Sequence, residues 1–244
     1  MRFSKVFLHK ECYMNYANSA NYSATNYEAS NKVLQNALNL VGISMVPTAI
    51  AAWLVSLIPM SYYAEHPFLM MGFFIGNFLL SLGLMFWAFK ASNSAMGVVA
   101  MLIFAASMGA GLGPMINKTL NMSNGISLIL SAALATGASL FAITSYVKYT
   151  KKDFSFMGPF LFGGLIAVLV LSLVGIFFNS TIFQLMLSSV AVVLFLGYLL
   201  YDISRIVTGG ETNYVLAAIS IYLDVLNLFI HLLQIFGILS GRDD

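Results

Sequence analysis

Seven apolar runs, each long enough to cross a bilayer as a helix, follow one another along the chain. They cover residues 33–59, 67–89, 95–116, 126–147, 154–178, 181–207 and 213–239. A crossing needs about 20 residues, with a range of roughly 17 to 25. Pro47 falls inside the first run, where a kink is expected. Pro67 opens the second, at the helical turn where its missing donor costs nothing. The links are short. Only Asn179 and Ser180 separate runs five and six, which must therefore be antiparallel neighbours, and residues 90–94 join runs two and three. The turn 208–212, TGGET, offers glycine to end run six and Thr212 as an N-cap for run seven. No soluble domain fits between the runs.

The polar exceptions inside these runs carry the information. Asp202 lies in the sixth run and Asp224 in the seventh. A carboxyl at membrane depth is costly unless it is paired, neutralised or wetted. Asp224, Asn227, His231 and Gln234 are spaced by three, four and three residues, which makes one stripe on a helix. Such a stripe faces protein or a wet cavity, so the seventh helix is expected inside the bundle. The alternative for Asn227, His231 and Gln234 is simple interhelical hydrogen bonding. Arg205, three residues after Asp202, shares its helix face and is expected either to pair with it or to mark the interface. By count from the ends of their runs, Asp202 and Asp224 differ in depth by about 9 Å. Tilt or a protruding seventh helix is needed to bring them together.

Glycines recur at 109, 111 and 113, at 137, and at 163 and 164. Small residues let helix backbones approach closely. Gly111-Leu112-Gly113-Pro114 is expected to do more, interrupting the third helix against a cavity.

Composition sharpens the class. Charged residues are 8% of the chain and apolar residues 60%, against roughly 25% charged in soluble domains. This is an all-α polytopic membrane protein. The net charge of +2 supplies no basic patch for nucleic acid. Cys12 is the one cysteine, so neither an internal disulfide nor a cysteine zinc site can form. His9 and His66 have no metal-ligand spacing, and Glu65 beside His66 reads as solvated. No cofactor is expected. Residues 1–32 lack the apolar core and cleavage site of a signal peptide and read as a flexible cytoplasmic tail, 33–240 as the membrane domain and 241–244 as a short C-terminal tail.

With seven crossings, nine basic residues (Arg2, Lys5, Lys10, Lys32, Lys90, Lys148, Lys151, Lys152 and Arg205) fall on one side and two, Lys118 and Arg242, on the other. The positive-inside rule puts the N-terminus in the cytoplasm and the C-terminus outside. The cluster at 148–152 also suits anionic lipid.

Two carboxylates brought together in a dry bundle share a proton and change charge near physiological pH. Deprotonated, they make a partial, weak calcium site. A pH-set gate, a cation path and an acid–base catalyst are all open on this chemistry. An intramembrane aspartyl protease is the enzyme alternative. Tyr201-Asp202 fits its first motif, but Tyr222-Leu223-Asp224 does not fit the Gly-x-Gly-Asp of its second. A secondary transporter would show an inverted repeat, and none is visible.

The run YDISRIV-TGGETNYVLAAISIYLDVLNLF-LLQIFG resembles the C-terminal signature of the Bax inhibitor-1 (transmembrane Bax inhibitor motif) family, and GGETNY its bacterial YccA-like branch. Gly111-Leu112-Gly113-Pro114 resembles the third-span motif. The resemblance covers about residues 33–240. It implies a central seventh helix wrapped by six others, a bacterial inner-membrane location, and no enzymatic activity. It implies that Asp202 and Asp224 are the paired aspartates of pH-sensitive calcium-leak members. For the YccA-like branch it implies binding to the membrane protease FtsH and moderation of its activity. Leak members pair an early-span arginine with the acids. Spans one to five here have no interior Arg or Lys, so Arg205, a polar group such as Asn77, or nothing takes that place.

Overall fold

A computed structural model describes residues 2–175, 177 and 180–241, with side chains from residue 28 onward. Asn179 and Arg242, and the side chains of Arg2, Lys5, His9, Lys10 and Cys12, lie outside the described residues. The helices are α1 (Arg2–Ser56), α2 (Met60–Glu65), α3 (Pro67–Lys90), α4 (Ala95–Leu120), α5 (Gly125–Thr150), α6 (Gly158–Gly175), α7 (Thr181–Val207) and α8 (Tyr214–Ser240). A 3₁₀ turn, Ser155–Met157, precedes α6. Seven of these have membrane length and hydropathy, α1 through its Glu28–Ser56 part, and together they are the seven expected crossings.

Burial ranks the helices. The most apolar window of α8 is 56% buried, against 6% for α3 and 11% for α6. A helix apolar all round and buried is a core element, whereas one apolar and bare faces lipid. Phe68, Phe78 and Phe86 on α3 and Phe160 and Phe162 on α6 are exposed. α8 is therefore the axis, packed against α1, α3, α4, α5 and α7. The backbone of α6 approaches α7 rather than α8, and its Leu161 and Val168 join Leu228 of α8 in one core cluster. Its Gly164 leaves room for Leu194, and Leu161 occupies the space over Gly197.

α1 and α4 form the closest pair. Gly109 lies directly against the Thr48 carbonyl and Gly113 against Val55. The Thr48 hydroxyl is 2.8 Å from that of Tyr222 on α8, and both reach the Ala105 carbonyl of α4 at 3.1 and 3.3 Å. One buried polar knot thus ties three helices together, with Phe104 edge-on to Tyr222.

Three expectations need correction. α4 is unbroken through Gly111-Leu112-Gly113-Pro114, because its glycines are used for close packing rather than to end the helix. α1 stops at Ser56, before Pro59. There the Asn117 side chain of α4 donates to the freed Ser56 and Ile58 carbonyls, and the short α2 follows. The N-cap of α8 is Asn213, not Thr212. Its Oδ1 accepts from the Val215 and Leu216 amides at 2.9 and 3.2 Å. Asn213→Ala is expected to cost about 1 kcal/mol, read as a lower unfolding midpoint in detergent. The α7 end behaves as expected. Gly209 takes the left-handed conformation (φ 83°) just after the C-cap, and the Gly210 amide donates to the Arg205 carbonyl, as in glycine-terminated helices.

Candidate functional site

The stripe on α8 faces α7 over most of its length. Asp224 of α8 and Asp202 of α7 are neighbours across the seam between the two helices. Seven residues further along α8, His231 stacks on Phe195 of α7, with ring centroids 5.9 Å apart and planes 16° from parallel. Gln234 accepts a hydrogen bond from Ser188 of α7 at 2.9 Å. Asn227 does not cross. Its amide donates to the Leu223 carbonyl one turn back in its own helix.

The pairing of the acids as neighbours means that the two helix ends are not level. Asp202 lies five residues before the end of α7 and Asp224 ten after the start of α8. α8 must therefore begin about 7 Å beyond the point where α7 stops. Its N-cap is anchored there, where the Asn213 amide donates to Asn93 in the α3–α4 link at 2.8 Å.

The acids have unequal surroundings. Asp224 is 5% exposed, and its Oδ2 has no donor. Asp202 lies nearer the surface, 4.0 Å from the Arg205 guanidinium. Arg205 is also 3.9 Å from Glu211 of the TGGET turn and stands 5.6 Å over the Tyr201 ring. Both sequence-level alternatives for Arg205 therefore hold, since it pairs with Asp202 and sits at the half-exposed helix end. Asn77 is not the partner of the acids. Its Oδ1 accepts from Ser107, which in turn bonds Ser81, and its amide lies over Gly111. Gly111 and Gly113 are packing positions, and Pro114 is buried beside them in α4.

Two neighbours of the site carried no role in the sequence reading. Glu211 competes with Asp202 for one guanidinium. Its signal was present, an acid six residues from an arginine across a Gly-Gly turn. Ser204, fully buried, fastens the α5–α6 linker to α7. Its hydroxyl accepts from the Phe154 amide at 2.8 Å and donates to the Lys152 carbonyl at 3.1 Å. Nothing in sequence spacing points to a contact across fifty residues. In that linker, hydrogen bonds from the Ser155 hydroxyl and amide hold the exposed Asp153 carboxyl below its ordinary range.

Chemically, the arrangement is an acid pair contributed by two helices, with one cation and a third carboxylate at its outer edge. Among the described residues, no group of three or more His, Cys, Asp or Glu stands ready to hold a metal ion.

A family model described as inhibitor of apoptosis-promoting Bax1 matches residues 30–241. The chain is 43% identical over 215 residues to an uncharacterized membrane protein of Vibrio cholerae, covering 88% of this chain and 92% of the relative. It is 36% identical over 211 residues to an uncharacterized protein of Pseudomonas aeruginosa, covering 86% and 91%. It is 31% identical over 222 residues to the Modulator of FtsH protease YccA of Escherichia coli K12, covering 91% and 97%.

Proposed function

The chain belongs to the Bax inhibitor-1 family, and on that premise we propose that it is a membrane-embedded modulator of an FtsH-type membrane protease. The observation that carries this reading is the similarity to the Escherichia coli modulator over nearly the whole of both chains. The chain supplies no catalysis in this reading. It binds the protease within the membrane and slows digestion of membrane substrates. In this reading it lies in the bacterial inner membrane with a cytoplasmic N-terminus, supported by Lys90, Lys148, Lys151, Lys152 and Arg205, which fall in or beside links that alternate to one side when seven crossings are counted. Residues 1–32 are the handle for the protease.

The test is co-purification of the full chain with FtsH from bacterial membranes, together with the half-life of a membrane substrate. Capture of the protease and a lengthened half-life are expected, and both should be lost when residues 2–27 are deleted. Absence of capture, with an unchanged half-life on overexpression, would remove the reading.

A second reading rests on the acid pair, that of a pH-sensitive calcium leak through the α7–α8 seam. Two carboxylates from different helices, with Arg205 and Glu211 at the outer edge, are the groups such a gate needs. In proteoliposomes this reading expects calcium flux that depends on pH and is altered by Asp224→Asn. Flux indifferent to both would exclude it.

A further inference from the structure

Among the described residues α1 and α5 make no backbone approach to each other, and between them runs a cleft floored by Val225, Leu226 and Phe229 of α8. We infer that this cleft is a phospholipid site, holding one acyl chain of an anionic lipid whose headgroup lies at the end marked by Lys32 and Lys148.

The cleft has a volume of about 650 Å³, within the roughly 300–1,000 Å³ of small-molecule sites. Its walls run from Leu38 to Trp53 on α1 and from Ile129 to Thr144 on α5. Each wall is about 22 Å long at the helical rise, most of a hydrocarbon core of about 30 Å. The lining is almost wholly apolar. Gly42 and Gly137 open it, since a Cβ on either would meet nothing within 4 Å. They differ in this from Gly109 and Gly113, which seat a neighbouring helix.

An extended acyl chain is narrow enough for this cleft, and in a bilayer it is what surrounds the opening.

Polarity fixes its direction. Thr136 and Ser139 on α5 donate one turn back, to the Ala132 and Ala135 carbonyls, and so does Thr150, to Tyr146. Thr144, at one end of the cleft, does not. Its hydroxyl is buried without a partner. Turned toward the cleft, this hydroxyl donates to a glycerol ester carbonyl entering at that end. Beyond Thr144 the polarity rises as a lipid's does. Lys148 is one turn further along α5, Lys32 lies six residues before Leu38 on the antiparallel α1, and both are exposed. A phosphate placed there meets two cations.

The test titrates the delipidated full chain with dioleoyl-phosphatidylglycerol or dioleoyl-phosphatidylcholine and counts bound lipid by native mass spectrometry. One tightly held phosphatidylglycerol is expected, with a preference over phosphatidylcholine of about fivefold per lysine. Lys148→Glu removes that preference. Gly137→Phe and, as a second variant, Gly42→Leu fill the cleft and remove the tight lipid, whereas Gly163→Phe on lipid-facing α6 leaves it bound. Equal binding of the two lipids by the wild type, or undiminished binding by both cleft-filling variants, would overturn the assignment. So would a synthetic polyleucine helix peptide that binds the wild type and is lost in Gly137→Phe while lipid binding persists.

Discussion

Gly109→Ala is expected to destabilise the bundle by about 3 kcal/mol, toward the upper end of overpacking costs. The added Cβ would overlap the Thr48 carbonyl and fall 2.7 Å from the Thr48 Cα. Backbone cannot rotate aside as a side chain does, so α1 and α4 must separate along their closest line. That separation also strains the Thr48–Tyr222–Ala105 knot, which joins both helices to α8. For a chain of this length the loss corresponds to a fall of about 6–12 °C in Tm, measurable by thermal unfolding in detergent. Gly137→Ala is the matched control. It adds the same methyl in a helix interior where nothing lies within 4 Å, so stability should hold or rise slightly as backbone freedom is lost from the unfolded chain. Equal effects of the two substitutions would mean that close approach at Gly109 contributes nothing.

The same contrast shows what can be read from sequence in a membrane chain. Run length and apolarity located the crossings, and 181–207 coincides with α7, because the bilayer imposes one thickness on every helix. The α8 stripe was legible for a related reason. Polar groups at spacings of three and four have one side on which to be buried, and that side is α7. What failed were details set by distant parts of the chain. α1 ends at Ser56, where Asn117 reaches across from α4 to bond its last carbonyl and that of Ile58 just beyond. The depth estimate for the acids assumed level helix ends, whereas α8 starts beyond α7 and is held there through Asn93. Gly111-Leu112-Gly113-Pro114 looked like a helix breaker by composition, yet Val55 and Asn77 packed against its glycines keep α4 continuous. Asn227 belonged to the stripe by spacing but satisfies its own backbone.

Asp224→Asn is expected to make the α7–α8 seam insensitive to pH. Two carboxyls side by side in a dry seam bind a proton more readily than two separated into water, so the paired arrangement holds more protons than the separated one. Linkage then fixes the sign: acid favours contact, alkali favours separation, and the ratio of the two changes about tenfold per pH unit while the proton is being exchanged. The asparagine amide donates to Asp202 without any titrating proton, so contact persists into the alkaline range. Amide exchange across residues 199–203 and 219–224, corrected for intrinsic rates, reads the difference. Protection that falls with pH in the wild type should stay level in the variant. The charged groups beside the pair are Arg205 and Glu211. Any pH dependence left in Asp224→Asn belongs to Asp202 itself, to these two and to Tyr198 beside them, and Glu211→Gln in the same background should remove the share of Glu211. If protection in Asp224→Asn instead falls over the same pH range as in the wild type, with or without Glu211, the proton that matters is not held between Asp202 and Asp224.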